Sequence, residues 1–175
     1  RSKISAALEV NEKNIPVTPV YLGGGLGRKI DETAALDAAR LSVAVKRPVH
    51  LGLFRPQDFR NGYVRPPTHH HLRAVLDPSG QALAFEHRQA SGEVAFPFLP
   101  DVAGTVMGAD FGSWRGALIP YDIANRQTTA WLAKLPVPTG WWRGLGLLPN
   151  IFAIESFIDE LAHAAQVDPL EYRLR

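Results

Sequence analysis

Residues 136–165 read PVPTGWWRGLGLLPNIFAIESFIDELAHAA. The second half has the period of a helix. Ile151, Ile154, Ile158, Leu161 and Ala165 recur at spacings of three and four and predict one buried stripe. Asn150, ahead of the apolar run, is the expected N-cap. Asp168-Pro169 predicts another helix with proline at its first position. The first half of the stretch, PVPTGWWRGLGLLP, is a glycine-bearing loop. Before it, Thr128–Leu135 has the composition of a strand. The order is strand, glycine loop, helix.

The same order occurs near the start of the chain. Ile15–Leu22 (IPVTPVYL) leans toward β-structure, with prolines that suit an edge or entry strand. Gly23, Gly24, Gly25 and Gly27 follow at once. Asp31 then reads as the N-cap of a helix over Glu32–Lys46, with Leu36, Ala39 and Val43 as its buried stripe and Pro48 as its stop. Val49–Phe54 alternates like a strand. His71–Leu76 and Ala82–Gln89 flank Asp77-Pro78-Ser79-Gly80, a strong turn, and predict a hairpin. Ala90–Ile119, rich in Gly and Pro, reads as an excursion with short helical pieces. The expected fold class is α+β, a mixed β-sheet with packed helices. Residues 1–175 are expected to form a single domain or a fragment of a larger subunit, because the sequence opens without Met and stops inside a helical pattern.

Composition narrows the chemistry. The chain has 19 Lys and Arg against 17 Asp and Glu, a net charge of +2, too small to imply a nucleic-acid partner. It has no cysteine, so disulfides, thiolate catalysis and Cys-ligated iron–sulfur centres are excluded within it. No apolar run reaches the roughly 18 residues of a membrane span.

A glycine loop that opens onto a helix presents backbone N–H groups and the positive end of a dipole, a general anion cradle. GGGLGRK at 23–29 lacks the later acidic residue of a dinucleotide fingerprint and the Lys-Ser/Thr of a Walker loop. From the residues alone it is equally a tight turn with a solvent-facing Arg28-Lys29 pair. In TGWWRGLG, adjacent Trp141 and Trp142 should point different ways, so at least one should pack. The loop can be read as a Trp cluster under a surface turn. It can equally be an aromatic wall beside backbone donors, suited to a flat ligand.

Other residues invite blander readings. His69-His70-His71 lacks a clear third ligand and fits a half-buried strand better than a zinc site. Asp159 and Glu160 fit a solvated helix face, and Glu155 a pairing with Arg143 or a loop cap. Asp58 with Arg55 and Arg60 reads as a loop salt-bridge set. Trp114-Arg115-Gly116 repeats the WRG of 142–144, as a coincidence or a second pocket wall.

Taken together, GGGLGRK at 23–29, PVHLGLFRPQDFRNGYVRP at 48–66, YDIAN at 121–125, WWRGLG at 141–146 and NIFAIESFIDELAHAAQVDPLEYRL at 150–174 resemble the molybdopterin-binding subunit of the xanthine dehydrogenase and aldehyde oxidase family. The nearest resemblance is to its isoquinoline 1-oxidoreductase beta-subunit branch. The resemblance implies a segment of a molybdenum-cofactor-binding domain, with Gly24, Gly25, Leu26, Gly27, Arg143 and Gly144 against the cofactor. It implies Trp142 and Leu145 as walls of the substrate pocket. Leu26 replaces the family's usual phenylalanine. Leu145 stands where xanthine-type members often carry a substrate-stacking aromatic, which favours aldehydes or N-heteroaromatics over purines. The reaction implied is hydroxylation with water as oxygen source. The implied cofactor is molybdenum–molybdopterin in its cytosine dinucleotide form, with iron–sulfur clusters in a separate small [2Fe-2S] subunit. The remainder of its own subunit is a further implied partner. The family's Gly-x-Gly-Glu motif, which carries the catalytic glutamate, is not in this sequence, so no catalytic residue is assigned here. A non-catalytic domain that kept the fold and lost the cofactor is the alternative.

Overall fold

The computed structural model describes residues 1–100 and 102–175. The chain divides into two compact units, Arg1–Gly62 and Tyr63–Arg175.

The first unit is helical. Helix α1 covers Ser2–Leu8, α2 Thr33–Val45 and α3 Arg55–Asn61, with short 3-10 turns at Glu12–Asn14 and Arg28–Ile30. The strands expected at Ile15–Leu22 and Val49–Phe54 are not formed; both segments are irregular. Pro16 and Pro19 each remove a ladder donor. Beyond half-buried Ile15, the apolar side chains of the first segment find no cover in this unit, with Val20 85% and Tyr21 105% exposed. In the second, Phe54 instead becomes the N-cap of α3, with Pro56 in its first turn. The Asp31 side chain does bind the start of α2, accepting from Thr33 N at 2.9 Å and Thr33 Oγ1 at 2.6 Å. The capping position itself falls on Glu32. Partial burial pushes the Asp31 carboxyl up, but the Thr33 bonds and the Arg28 guanidinium outweigh it and hold the pKa below its ordinary value. The expected α2 stripe is half-buried at Leu36 and Ala39 and exposed at Val43, and no α2 residue is fully buried.

The second unit holds the sheet. Strand β1 is Thr68–Leu76, β2 Ala82–Ser91 and β3 Asn125–Leu132, in the order β1-β2-β3. β1 and β2 are antiparallel and β2 and β3 parallel, so the sheet is mixed as expected. The hairpin turn closes on Asp77, whose Oδ1 accepts from Ser79 N at 2.8 Å and Gln81 N at 2.9 Å. Between β2 and β3 run a 3-10 turn at Phe96–Phe98 and the short helices α4 (Val102–Met107) and α5 (Phe111–Trp114). Helices α6 (Leu147–Ala164) and α7 (Pro169–Leu174) complete the unit.

The α6 stripe forms the core. Ile154, Ile158 and Leu161 pack with Phe85, Ile119 and Ile123, and Phe157 meets Phe85 edge-on at 5.4 Å. Each buried Ile or Leu contributes about 1.5–3 kcal/mol. α7 starts where expected: Asp168 accepts from Leu170 N and Glu171 N. No helix among the described residues is long and apolar enough to cross a membrane.

Candidate functional site

The first glycine loop lies in the first unit. Gly25 O accepts from Arg28 N at 2.9 Å, and the two residues between them, Leu26 at φ 51 and Gly27 at φ 96, are both left-handed. Such a turn needs glycine or an asparagine-like residue; a leucine there is uncommon and strained. A Cβ built on Gly23 or Gly24 would meet nothing within 4 Å, and one on Gly25 would meet Lys29 Cβ at 3.4 Å and Leu22 Cδ2 and Lys29 Cδ at 3.8 Å. Gly23 is favoured by its own φ of 71, whereas no neighbour in the unit demands bare backbone at Gly24. Of the Arg28-Lys29 pair only Lys29 is solvent-exposed. Arg28 is half-buried and bridges Asp31 at 2.5 Å and Asp58 at 3.4 Å, while Lys29 Nζ donates to Leu22 O across the mouth of the loop. Asp58 sits on α3, not in a loop, and also takes Arg55 at 3.3 Å.

The second loop lies in the second unit, between a β-bridge of Thr139 with Val64 and the start of α6. Leu145 N donates to Trp142 O at 2.7 Å, with Gly144 at φ 82 and Leu145 at φ 55. Both loops therefore present a leucine and a glycine side by side in the left-handed region. The tryptophans diverge as expected. Trp141 packs edge-on to Phe98 and Phe111, while Trp142 is 44% exposed. A Cβ on Gly144 would meet only Leu147 Cβ at 3.9 Å. Among the described residues neither Arg143 N–H nor Gly144 N–H has a hydrogen-bond acceptor.

The floor of this loop is made by residues with no local motif. Gly146 N donates to Gly112 O at 2.8 Å, and a Cβ on Gly146 would fall 2.2 Å from Ser113 O. Asn150 is not a cap. α6 begins earlier, at Leu147, and Asn150 is a fully buried residue of its first turns, with Nδ2 3.0 Å from both Ser113 O and Arg115 O. α5 is itself held by Asp110. That buried carboxylate accepts from Val94 N at 2.8 Å, Ala95 N at 2.9 Å, Phe96 N at 3.1 Å and Gly112 N at 2.8 Å. On the other side Arg65 donates to Arg143 O and Leu145 O, and partial burial lowers its pKa from the ordinary value. Sequence reasoning missed Arg65 and Asp110. Asp110 did carry a signal, an Asp directly ahead of a short helical run; Arg65, followed by two prolines, carried none.

Other predicted residues fall elsewhere in the second unit. Glu155 does not meet Arg143. It accepts from Tyr121 OH at 2.9 and 2.8 Å and from Arg173 at 3.0 Å, because α7 brings Arg173 over the α6 surface. Within the histidine run, His69 and His71 face outward and His70 inward, toward buried His87. Among the described residues no group of three or more His, Asp or Glu side chains is arranged to hold a metal ion.

The molybdopterin cofactor-binding domain family matches residues 1–175. The aldehyde oxidoreductase molybdenum-binding subunit PaoC of Escherichia coli (strain K12) is 37% identical over 99% of this chain, which corresponds to 22% of that protein. Isoquinoline 1-oxidoreductase subunit beta of Brevundimonas diminuta is 28% identical over 87% of this chain and 20% of its own length. Quinoline 2-oxidoreductase from Pseudomonas putida 86 shares the fold, with a TM-score of 0.72 at 24% identity over 98% of this chain and 22% of that one. The chain thus spans about a fifth of the relatives it matches. It belongs to the molybdopterin cofactor-binding domain family, the molybdenum-binding part of the xanthine oxidase group.

The loops fit such a group. Gly23, Gly24 and Gly144 leave open space where side chains would stand, and Arg143 and Gly144 carry adjacent unpaired donors.

Proposed function

We propose that this chain supplies cofactor-binding loops to a molybdenum hydroxylase that oxidises an aldehyde or N-heteroaromatic substrate, with water as the oxygen source. The observation that carries the reading is the pair of adjacent N–H groups at Arg143 and Gly144, left without acceptors on an open turn. A backbone donor pair at fixed geometry suits an anionic or oxygen-rich ligand. Gly24, Gly25, Leu26 and Gly27 supply a second glycine-rich stretch of backbone, with Gly27 needed for its φ of 96.

When bound, the molybdenum–pterin group, in its cytosine dinucleotide form, supplies the redox chemistry. The residues of this chain bind and orient. The exposed face of Trp142 and the half-buried Leu145 wall the substrate pocket. An aliphatic side chain at 145 offers no ring for a purine to stack on, which suits aldehydes and smaller heteroaromatics. The relatives named for aldehyde and isoquinoline oxidation support that choice. The catalytic carboxylate belongs to the remainder of the same subunit, and electrons leave through a small [2Fe-2S] partner subunit.

Gly27→Val in the full-length subunit tests the reading. A β-branched residue cannot hold a φ of 96 without strain. Molybdenum and pterin content should fall to background in an otherwise assembled complex. Molybdenum at the wild-type level in that variant would refute the assignment of the loop.

A further inference from the structure

Arg65 grips the second loop from behind. Its Nη2 donates to Arg143 O at 2.7 Å and its Nη1 to Leu145 O at 2.8 Å. A trans peptide holds its C=O and N–H antiparallel. Arg143 O and Gly144 N–H belong to one peptide unit, so drawing that oxygen onto Arg65 sends the N–H to the opposite side. Leu145 O shares its unit with Gly146 N–H, which donates to Gly112 O at 2.8 Å. The Leu145–Gly146 unit is therefore held at both ends. The Arg143–Gly144 unit is held at its oxygen alone, with its donor side open. This grip also explains how Leu145 stays at φ 55, a conformation leucine seldom adopts. The planar fork of a guanidinium suits two separated carbonyls; an ammonium on a flexible stem does not.

We propose that Arg65 is a positioning residue for the cofactor: by forking across Arg143 O and Leu145 O, it orients the Gly144 N–H, with that of Arg143 beside it, as donors to the bound group. The inference rests on the cofactor reading above. Arg65 acts through the loop and not by its own contact with the reacting atoms.

The test uses the full-length subunit in its complex, as wild type, Arg65→Met and Arg65→Lys. Hydrogen–deuterium exchange of a peptide covering residues 141–147 reads the loop, and molybdenum and pterin analysis of the same preparations reads the cofactor. Arg65→Met should accelerate exchange at Leu145 and Gly146 about tenfold or more. It should lower molybdenum content at least about twofold, with Arg65→Lys intermediate in both. Unchanged exchange overturns the proposal, and a molybdenum-loaded wild type then leaves the cofactor reading standing. Faster exchange with wild-type molybdenum content also overturns it, since the loop would move without consequence for the cofactor. A wild type devoid of molybdenum and pterin overturns both. If Arg65→Met does not accumulate, Arg65→Lys carries the test, with wild-type exchange and metal content as the overturning result.

Discussion

His70 Nδ1 lies 3.0 Å from His87 Nε2, and the direction of that bond is fixed by what lies beyond it. His87 Nδ1 is 2.9 Å from Ala117 O, which can only accept, so Nδ1 carries the proton and Nε2 is the acceptor. His70 then donates from Nδ1, and its Nε2 accepts from Thr68 Oγ1 at 2.9 Å. Both rings are neutral in this arrangement. A proton added to His87 Nε2 would set two N–H groups against each other. Burial first, and then the neighbouring His87 and His69, depress the His70 pKa from 6.5 to about 4. Burial also lowers that of His87, against the opposing effect of the Ala117 bond. The unfolded chain thus binds more protons than the folded one between pH 6.5 and about 4. Stability is complete above that window and falls as pH drops through it. Denaturant titrations of the full-length subunit at stepped pH should show this slope, and His70→Gln should flatten it. A wild-type midpoint constant from pH 7 to pH 4 would contradict the prediction.

Among the described residues no cation pairs with the buried Asp110 carboxylate; four backbone N–H groups hold it instead. Asp110→Asn turns one acceptor oxygen into an NH2 that faces donors. The expected loss is about 2–4 kcal/mol, and Asp110→Ala should cost at least as much, because the four N–H groups would be buried unpaired. Chemical denaturation measures it. A loss below about 0.5 kcal/mol for Asp110→Ala would mean that water substitutes freely at this point.

The contrast between elements that were legible in the sequence and those that were not follows the range of the forces involved. The α6 stripe, the Asp77–Gly80 hairpin and the Asp168-Pro169 helix start were readable because periodicity and turn chemistry act within a few residues. The α+β class followed from them. Ile15–Leu22 and Val49–Phe54 have strand composition, but a strand exists only with a partner, and none is paired with them here. Asn150 has the local pattern of a cap, an asparagine ahead of an apolar run, whereas its buried amide answers to Ser113 and Arg115, far away in sequence. β3 starts at Asn125 because its register is set by pairing with Ala84, not by its own composition. The same holds for the site. The glycine loops announced themselves, while Arg65 shapes one of them from a position that no local pattern marks.

Arg173 ties α7 to the α6 surface, beside Tyr172, which packs against the core. Arg173 Nη1 donates to Asp159 Oδ1 at 2.6 Å and to Pro169 O at 3.0 Å, while Nε lies 3.0 Å from Glu155 Oε2. Burial works against the Arg173 charge, but the Asp159 and Glu155 bonds outweigh it and raise its pKa. Arg173→Met should destabilise by about 2 kcal/mol, since the pairs are only partly shielded from solvent. Because Arg173 and Tyr121 both donate to Glu155, Glu155→Gln and Arg173→Met should be non-additive by about 1 kcal/mol in a double-mutant cycle. Strict additivity would indicate that the two side chains do not couple.

Gly144 and Gly146 stand two positions apart in one loop and should respond to alanine to very different extents. A Cβ on Gly146 would lie 2.2 Å from Ser113 O and 2.8 Å from Gly112 O, both backbone atoms of α5. The loop and α5 must then separate, weakening the Gly146 N–H bond to Gly112 O. Gly146→Ala should therefore cost about 3 kcal/mol, in the range of other overpacked sites. A Cβ on Gly144 meets nothing closer than 3.9 Å, so only its φ of 82 is penalised. That costs about 1 kcal/mol in the left-handed region. If the open side of Gly144 is where the cofactor approaches, Gly144→Ala should lose more molybdenum than its small stability loss explains. Thermal melts and metal analysis on both variants separate the two effects. Equal melting temperatures for the two variants, or full molybdenum occupancy in Gly144→Ala, would place the contact elsewhere on the loop.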